Sequence, residues 1–143
     1  MSDIPFLPVT QNPLVIRTDY RDQNVWDAIC NLIRAPVREG PDEFYANMHF
    51  LEGAEFRDLS EPDLLARVPD NYPHSFLCVV DQVATSHPEF PVLVMDLYHQ
   101  RGRTFRAVPT QMQAIENNLS IANMDYFEFA DNVDEDGIFR DFA

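Results

Sequence analysis

Apolar residues recur along this chain with two periods, and the change from one to the other separates strands from helices. Leu14 to Thr18, Phe76 to Val80 and Val92 to Met95 are short, largely apolar runs that end at Asp19, Asp81 and Asp96. Such runs have the length and character of buried strands, and Pro91 suits the first residue of the third. After the polar turn His99-Gln100-Arg101-Gly102, Thr104 to Val108 returns as a further strand, so the pair reads as an antiparallel hairpin. Phe44 to Leu51 alternates imperfectly, with Phe44, Ala46, Met48 and Phe50 facing one way, and is expected as one more strand.

Helical spacing takes over between these runs. From Gln23 to Arg34 the residues Val25, Ile29, Leu32 and Ile33 share a face that Trp26 and Ala28 widen; Asp22 is placed to cap it and Pro36 to end it. Ser60 with Asp63 forms a capping-box pattern ahead of Leu64, Leu65 and Val68, and Pro69 stops that helix. Val83 to His87 fits a brief helical turn. Thr110 with Gln113 predicts a capped helix whose core stripe is Met112, Ile115 and Leu119, and Phe127, Ala130 and Val133 continue as a second helix behind Asp125.

These elements predict a single compact α/β domain over residues 1–143: a mixed sheet of about five strands with a β-hairpin, and helices packed on the sheet. One core is expected, built on Trp26, Ile29, Leu32, Leu77, Val79, Leu93, Val94, Ile115 and Leu119. Residues 1–13, with Pro5, Pro8 and Pro13, read as an extended N-terminal arm tucked down by Ile4, Phe6 and Leu7, and 126–143 as an acidic C-terminal flank.

Charge then narrows the function. Ten basic residues against 24 acidic ones leave a formal net charge of -14, which repels phosphates and argues against nucleic acid or an anionic membrane as partner. All ten basic residues are arginine. Without lysine the chain has no Schiff-base amine, no anchor for pyridoxal phosphate and no Walker A phosphate loop. The four glycines are too scattered for a dinucleotide loop, and no serine stands in a G-x-S-x-G elbow. No cofactor is expected. Cys30 and Cys78 sit among apolar neighbours and are expected to be reduced; the first ten residues lack a signal-peptide pattern, and no run approaches a membrane span, so a cytoplasmic location is expected.

Four clusters carry candidate chemistry. Asp19, Asp81 and Asp96 would line one crevice if their strands ran parallel, to supply a general acid and base, with Asp19 and Asp96 as the candidates, or to hold Mg²⁺; otherwise they simply cap strands and turns. Arg101, Arg103 and Arg106 gather on the hairpin, where guanidinium groups either grip a carboxylate or phosphate ligand or, with 24 acidic residues in the chain, enter an internal salt-bridge network; Arg103 and Arg106 are the candidate ligand contacts. Glu116, Asn117, Asn118 and Asn123 are unusual company for a helix, since asparagine competes with the helical backbone, and a site or a capping role explains their presence. Asp134, Glu135 and Asp136 are the densest acids of the flank and candidate contacts for a basic partner. Asn132-x-Asp134-x-Asp136-Gly137 opens like an EF-hand loop, but position twelve would be Ala143 where calcium requires a glutamate. No metal is expected there, and the four histidines have no zinc-ligand spacing.

The strings Arg17-Thr18-Asp19, Val94-Met95-Asp96-Leu97-Tyr98, Gly102-Arg103-Thr104-Phe105-Arg106 and Glu116 through Asp125 resemble, in the same order, those of an uncharacterised family of small microbial proteins. The resemblance runs from about Leu14 to Phe142 and brings no established activity. It departs at Asp141, where that family ends Gly-Val-Phe-Arg-Gly-Phe. Two function classes follow from the residues themselves: an acidic, non-catalytic module, inhibitor-like or immunity-like, that binds a basic protein; and a small-molecule enzyme or binder performing isomerase, cyclase or lyase chemistry in a pocket of carboxylate, arginine and asparagine groups.

Overall fold

The computed structural model describes residues 5–142. Strands β1 (Leu14–Arg17), β4 (His49–Leu51), β5 (Phe76–Val80), β6 (Val92–Asp96), β7 (Thr104–Ala107) and β8 (Ile138–Phe139) form one mixed sheet in the order β4-β1-β5-β6-β7-β8. β4, β1 and β5 are parallel, β6 runs against β5 and β7, and β8 is parallel to β7. The expected mixed sheet and the β6–β7 hairpin are therefore present. A separate antiparallel pair, β2 (Val37–Glu39) with β3 (Asp42–Phe44), turns through Gly40 at φ +61, where a residue without Cβ is at ease.

Helix α1 (Gln23–Arg34) starts at Asp22, whose carboxylate accepts from the amides of Asn24 and Val25. α2 (Glu61–Ala66) has the reciprocal Ser60/Asp63 box, and α3 (Gln82–Ser86) is capped by Asp81 through the Ala84 amide. α4 (Met112–Ser120) and α5 (Tyr126–Ala130) complete the set. The Thr110 cap is a correction. Pro109–Gln111 forms a tight 3-10 turn instead, and α4 begins behind Gln111 with no side-chain cap; Gln113 bonds forward to Asn117 at 2.9 Å.

The expected single core is in fact two, because alternate residues of a strand buried on both faces point to opposite sides. Phe76, Cys78, Val80, Val92, Val94 and Phe105 face α1, α4 and α5, together with Trp26, Ile29, Ile115 and Leu119. Leu77, Val79, Leu93 and Met95 face α2 and the N-terminal arm, where Leu7 is buried and its amide bonds the Arg67 carbonyl at 2.8 Å. Each large side chain so withdrawn from water contributes about 1.5–3 kcal/mol. Three positions break the expected phase: Leu32 is 38% exposed, the buried stripe of α1 being Trp26, Ile29, Cys30 and Ile33; Phe127 is exposed, because α5 buries Tyr126, Phe129 and Ala130 and ends before Val133; and Phe6 lies on the surface while Leu7 takes the inner place. Ile4 falls outside the described residues. Both cysteines are free and buried, and burial pushes the Cys30 thiol up to about 11.

Phe44 to Leu51 is not one strand. Only His49–Leu51 joins the sheet, because the Asn47 amide donates to the Glu116 carboxylate at 2.7 Å and the Tyr45 carbonyl accepts from the Asn117 side chain at 2.8 Å. Side chains of α4 thus satisfy backbone groups that a strand neighbour would otherwise take.

Candidate functional site

Topology divides the strand-end carboxylates between two ends of the sheet. Arg17 is in register with Val80 at the end of β5, whereas Asp96 is paired with Phe76 at its start. Four residues of strand, roughly 13 Å, separate the two rows. Asp19 and Asp81 therefore share the carboxyl end of the parallel strands, and Asp96 occupies the opposite end.

At the carboxyl end, where open α/β sheets hold ligands, the protein fills its own crevice. Arg17 is 2% exposed; its guanidinium donates to Gln23 at 2.8 Å, to Glu52 at 3.2 Å and to the Asp19 carbonyl at 3.0 Å, beneath the Tyr20 ring. Trp26 donates to the other Glu52 oxygen at 3.1 Å, and the Tyr20 hydroxyl joins the Gly53 backbone. Asp19 is gripped by Arg21 in two parallel bonds of 2.9 and 3.0 Å and accepts from the Thr85 hydroxyl. Arg106 is committed likewise: it forks onto Asp81 at 2.9 and 2.7 Å and donates to the Pro91 carbonyl.

The Arg21 bonds, opposed in part by burial, hold the Asp19 carboxyl down at about 2. Because that lies below the unfolded value of about 3.9, Asp19 stabilises the fold above pH 4 and the contribution is lost as pH falls from about 4 toward 2. Asp19→Asn is expected to flatten this part of the acid denaturation curve. Unchanged steepness between pH 4 and 2, relative to wild type, would show that the Arg21 pair contributes nothing.

The opposite end is built by the hairpin loop and the α4–α5 segment. Asp96 folds the loop: its two oxygens accept from the amides of Tyr98 at 2.9 Å and Gln100 at 2.7 Å. The buried Tyr126 hydroxyl lies 2.9 and 2.8 Å from the carbonyls of Val94 and Arg103, and burial, with Asp96 near, raises its pKa. Arg103 pairs with Asp131. Asn118 closes the end of α4: its side chain donates to the Ala114 carbonyl and accepts from Asn123, and its carbonyl accepts from the Asn123 and Met124 amides. These bonds hold Ala122 at φ +54, a conformation non-glycine residues seldom adopt. Asn118 and Asn123 thus serve the turn, whereas Glu116 and Asn117 reach the strand-end loop.

Two clefts flank this segment. One, of about 250 Å³, has Leu119, Met124 and Tyr126 as an apolar floor, with Tyr98, His99 and Asp125 around it. Beside it Tyr98, 73% exposed, stands edge-on to His99 at 4.6 Å, which in turn faces Phe127, 45% exposed, at 6.3 Å; His99 Nε2 lies 3.4 Å from Asp125. The other cleft, of about 510 Å³, is of mixed character, with Gln11, Asn12, His74, Glu116, Asn117 and Ser120 beside the apolar Pro13 and Ile121.

The acidic flank sits elsewhere. Arg140 follows β8 at the carboxyl end and bridges Asp134, Asp136 and Glu89 at 2.7, 2.7 and 2.8 Å, so of the three flank acids singled out by sequence only Glu135 is without an arginine. The carboxylates of the EF-hand-like turn, Asp134 and Asp136, face the Arg140 guanidinium. In all, Asp19, Arg106, Asp134, Glu135 and Asp136 lie toward one end of the sheet, and Asp96, Arg103, Asn117, Asn118 and Asn123 toward the other. The exposed aromatics Tyr98 and Phe127, and His74 as a wall of the cleft where Glu116 and Asn117 lie, escaped sequence reasoning; the one signal for the aromatics was their polar, turn-rich context, where large apolar side chains have no core to enter.

The fold and surface define a small α/β domain in which a six-stranded mixed sheet lies between helical layers, with no helix among the described residues long and apolar enough to cross a membrane. Residues 12–142 match the family model described as Domain of unknown function (DUF6924), and the chain belongs to that family. Comparison with curated proteins and with solved structures finds no match.

Proposed function

We propose that this protein is an acidic, non-catalytic module that binds a basic protein partner, in the manner of an inhibitor or immunity protein, through the surface at the hairpin loop and α5. The observation that carries the reading is the exposed Tyr98–His99–Phe127 cluster beside an apolar cleft with the Asp125 carboxylate at its rim. Aromatic side chains that fill no core and border a pocket are the usual anchors of protein interfaces, and aromatic faces beside a carboxylate suit arginine or lysine. Net charge -14 adds long-range attraction for a basic partner. Against the enzymatic alternative, the carboxylates and arginines that chemistry would need, Asp19, Asp81, Asp96 and Arg106, are each held in internal bonds.

Capture on the immobilised protein tests this. Proteins retained by wild type at low salt are expected to elute at about 1 M salt, where the Debye length is about 3 Å, and to bind the Tyr98→Ala/Phe127→Ala variant at least about 30-fold more weakly. Those two side chains are exposed, so the variant keeps its fold. Retention of the same proteins, at the same strength, by that variant or in high salt defeats the reading.

A further inference from the structure

The cleft on the far side of α4 holds a charge that the fold leaves without an ion-pair partner. Glu116 is 3% exposed, and both donors that reach it, the Asn47 amide at 2.7 Å and the Asn117 side chain at 2.8 Å, sit on Oε1. Among the described residues Oε2 has no hydrogen-bond partner, and no arginine or histidine forms an ion pair with the group. Pinning the Asn47 loop needs only one acceptor, which a glutamine oxygen would supply as well. Oε1 is held by the fold, and Oε2, with no donor from the protein, is left open to the cleft, where a cation or a strong donor entering it would complete the carboxylate.

The walls choose between those. Nothing cationic lines the cleft of about 510 Å³. His74 places Nε2 2.8 Å from the Thr10 carbonyl, which only accepts, so Nε2 carries the proton and Nδ1 is left as an acceptor. Gln11 and Asn12 bring amide oxygens, and Ser120 a hydroxyl. An anion would meet the Glu116 carboxylate, whereas a cation finds acceptors there and in the amide and hydroxyl oxygens of Gln11, Asn12 and Ser120. We propose that this cleft, at the amino ends of β1, β4 and β5, binds a small organic cation through an ammonium or guanidinium group that reaches Glu116 Oε2. The site is separate from the Tyr98 surface and does not rest on it.

Titration of the ¹⁵N-labelled protein with agmatine and with putrescine, followed by NMR, tests the site. Saturable shifts are expected at the Asn47 amide and the Asn117 side-chain amide, both of which share the Glu116 carboxylate. Glu116→Gln is expected to weaken binding about 10- to 100-fold, the worth of a hydrogen bond to a charged group. Ser120→Trp, at an exposed position on the cleft, blocks entry while keeping the carboxylate, and so decides the matter if Glu116→Gln disturbs the fold. Asp134→Asn/Glu135→Gln/Asp136→Asn is expected to change nothing, which separates the site from diffuse attraction to an acidic surface. No saturable shift with either probe, shifts spread over the acidic surface, or binding that survives Ser120→Trp overturns the proposal.

Discussion

Phe129→Ala is expected to lower the free energy of unfolding by about 3–5 kcal/mol, the range for emptying a fully buried aromatic position. Phe129 projects from α5 into the core, meets the Phe139 ring edge-on at 5.3 Å and lies 5.5 Å from Phe142. Those contacts seat the two-residue strand β8, whose backbone bonds to the sheet run from the Arg106 amide to the Gly137 carbonyl and from the Val108 amide to the Phe139 carbonyl. Removal of the ring therefore costs packing and loosens the edge of the sheet together. Urea denaturation measures it, and a cost below about 1 kcal/mol would mean that the C-terminal segment contributes little to the fold.

Arg106→Met is expected to cost about 2–3 kcal/mol, between the values for exposed and fully buried ion pairs, because both partners are partly shielded from water. Asp81 would lose two charge-assisted bonds while still capping α3, and the Pro91 carbonyl would lose its donor. Thermal melts beside wild type should show a fall of several degrees. Full retention of stability would mean that the Arg106–Asp81 pair contributes nothing to the fold, and would favour the ligand contact over the salt-bridge network as the reason for Arg106.

Much of the architecture was legible from local patterning. Asp22 and Ser60 cap the helices their spacing announces, since a cap depends on residues within one turn. The runs Phe76–Val80 and Val92–Asp96 are the strands their apolar character requires. Gly102 sits in the turn that leads from β6 into β7, at φ +94.

What lies between distant parts of the chain was not legible. The break in Phe44–Leu51 is imposed by Glu116 and Asn117, some 70 residues later, which cap its backbone from α4. β8 is too short to declare itself and exists because β7 offers an open edge and Phe129 a seat. The candidate sites divide the same way. Sequence identified carboxylates, arginines and asparagines as the residue types able to carry chemistry, because that follows from the side chains alone. Which of them are neutralised depended on strand direction: β1 and β5 run parallel and β6 against them, so Asp19 and Asp96 lie at opposite ends of the sheet and Arg106 meets Asp81. Exposure of Tyr98 and Phe127, and the unpartnered oxygen of Glu116, are likewise properties of packing, since a side chain's burial is set by what the rest of the chain brings to it.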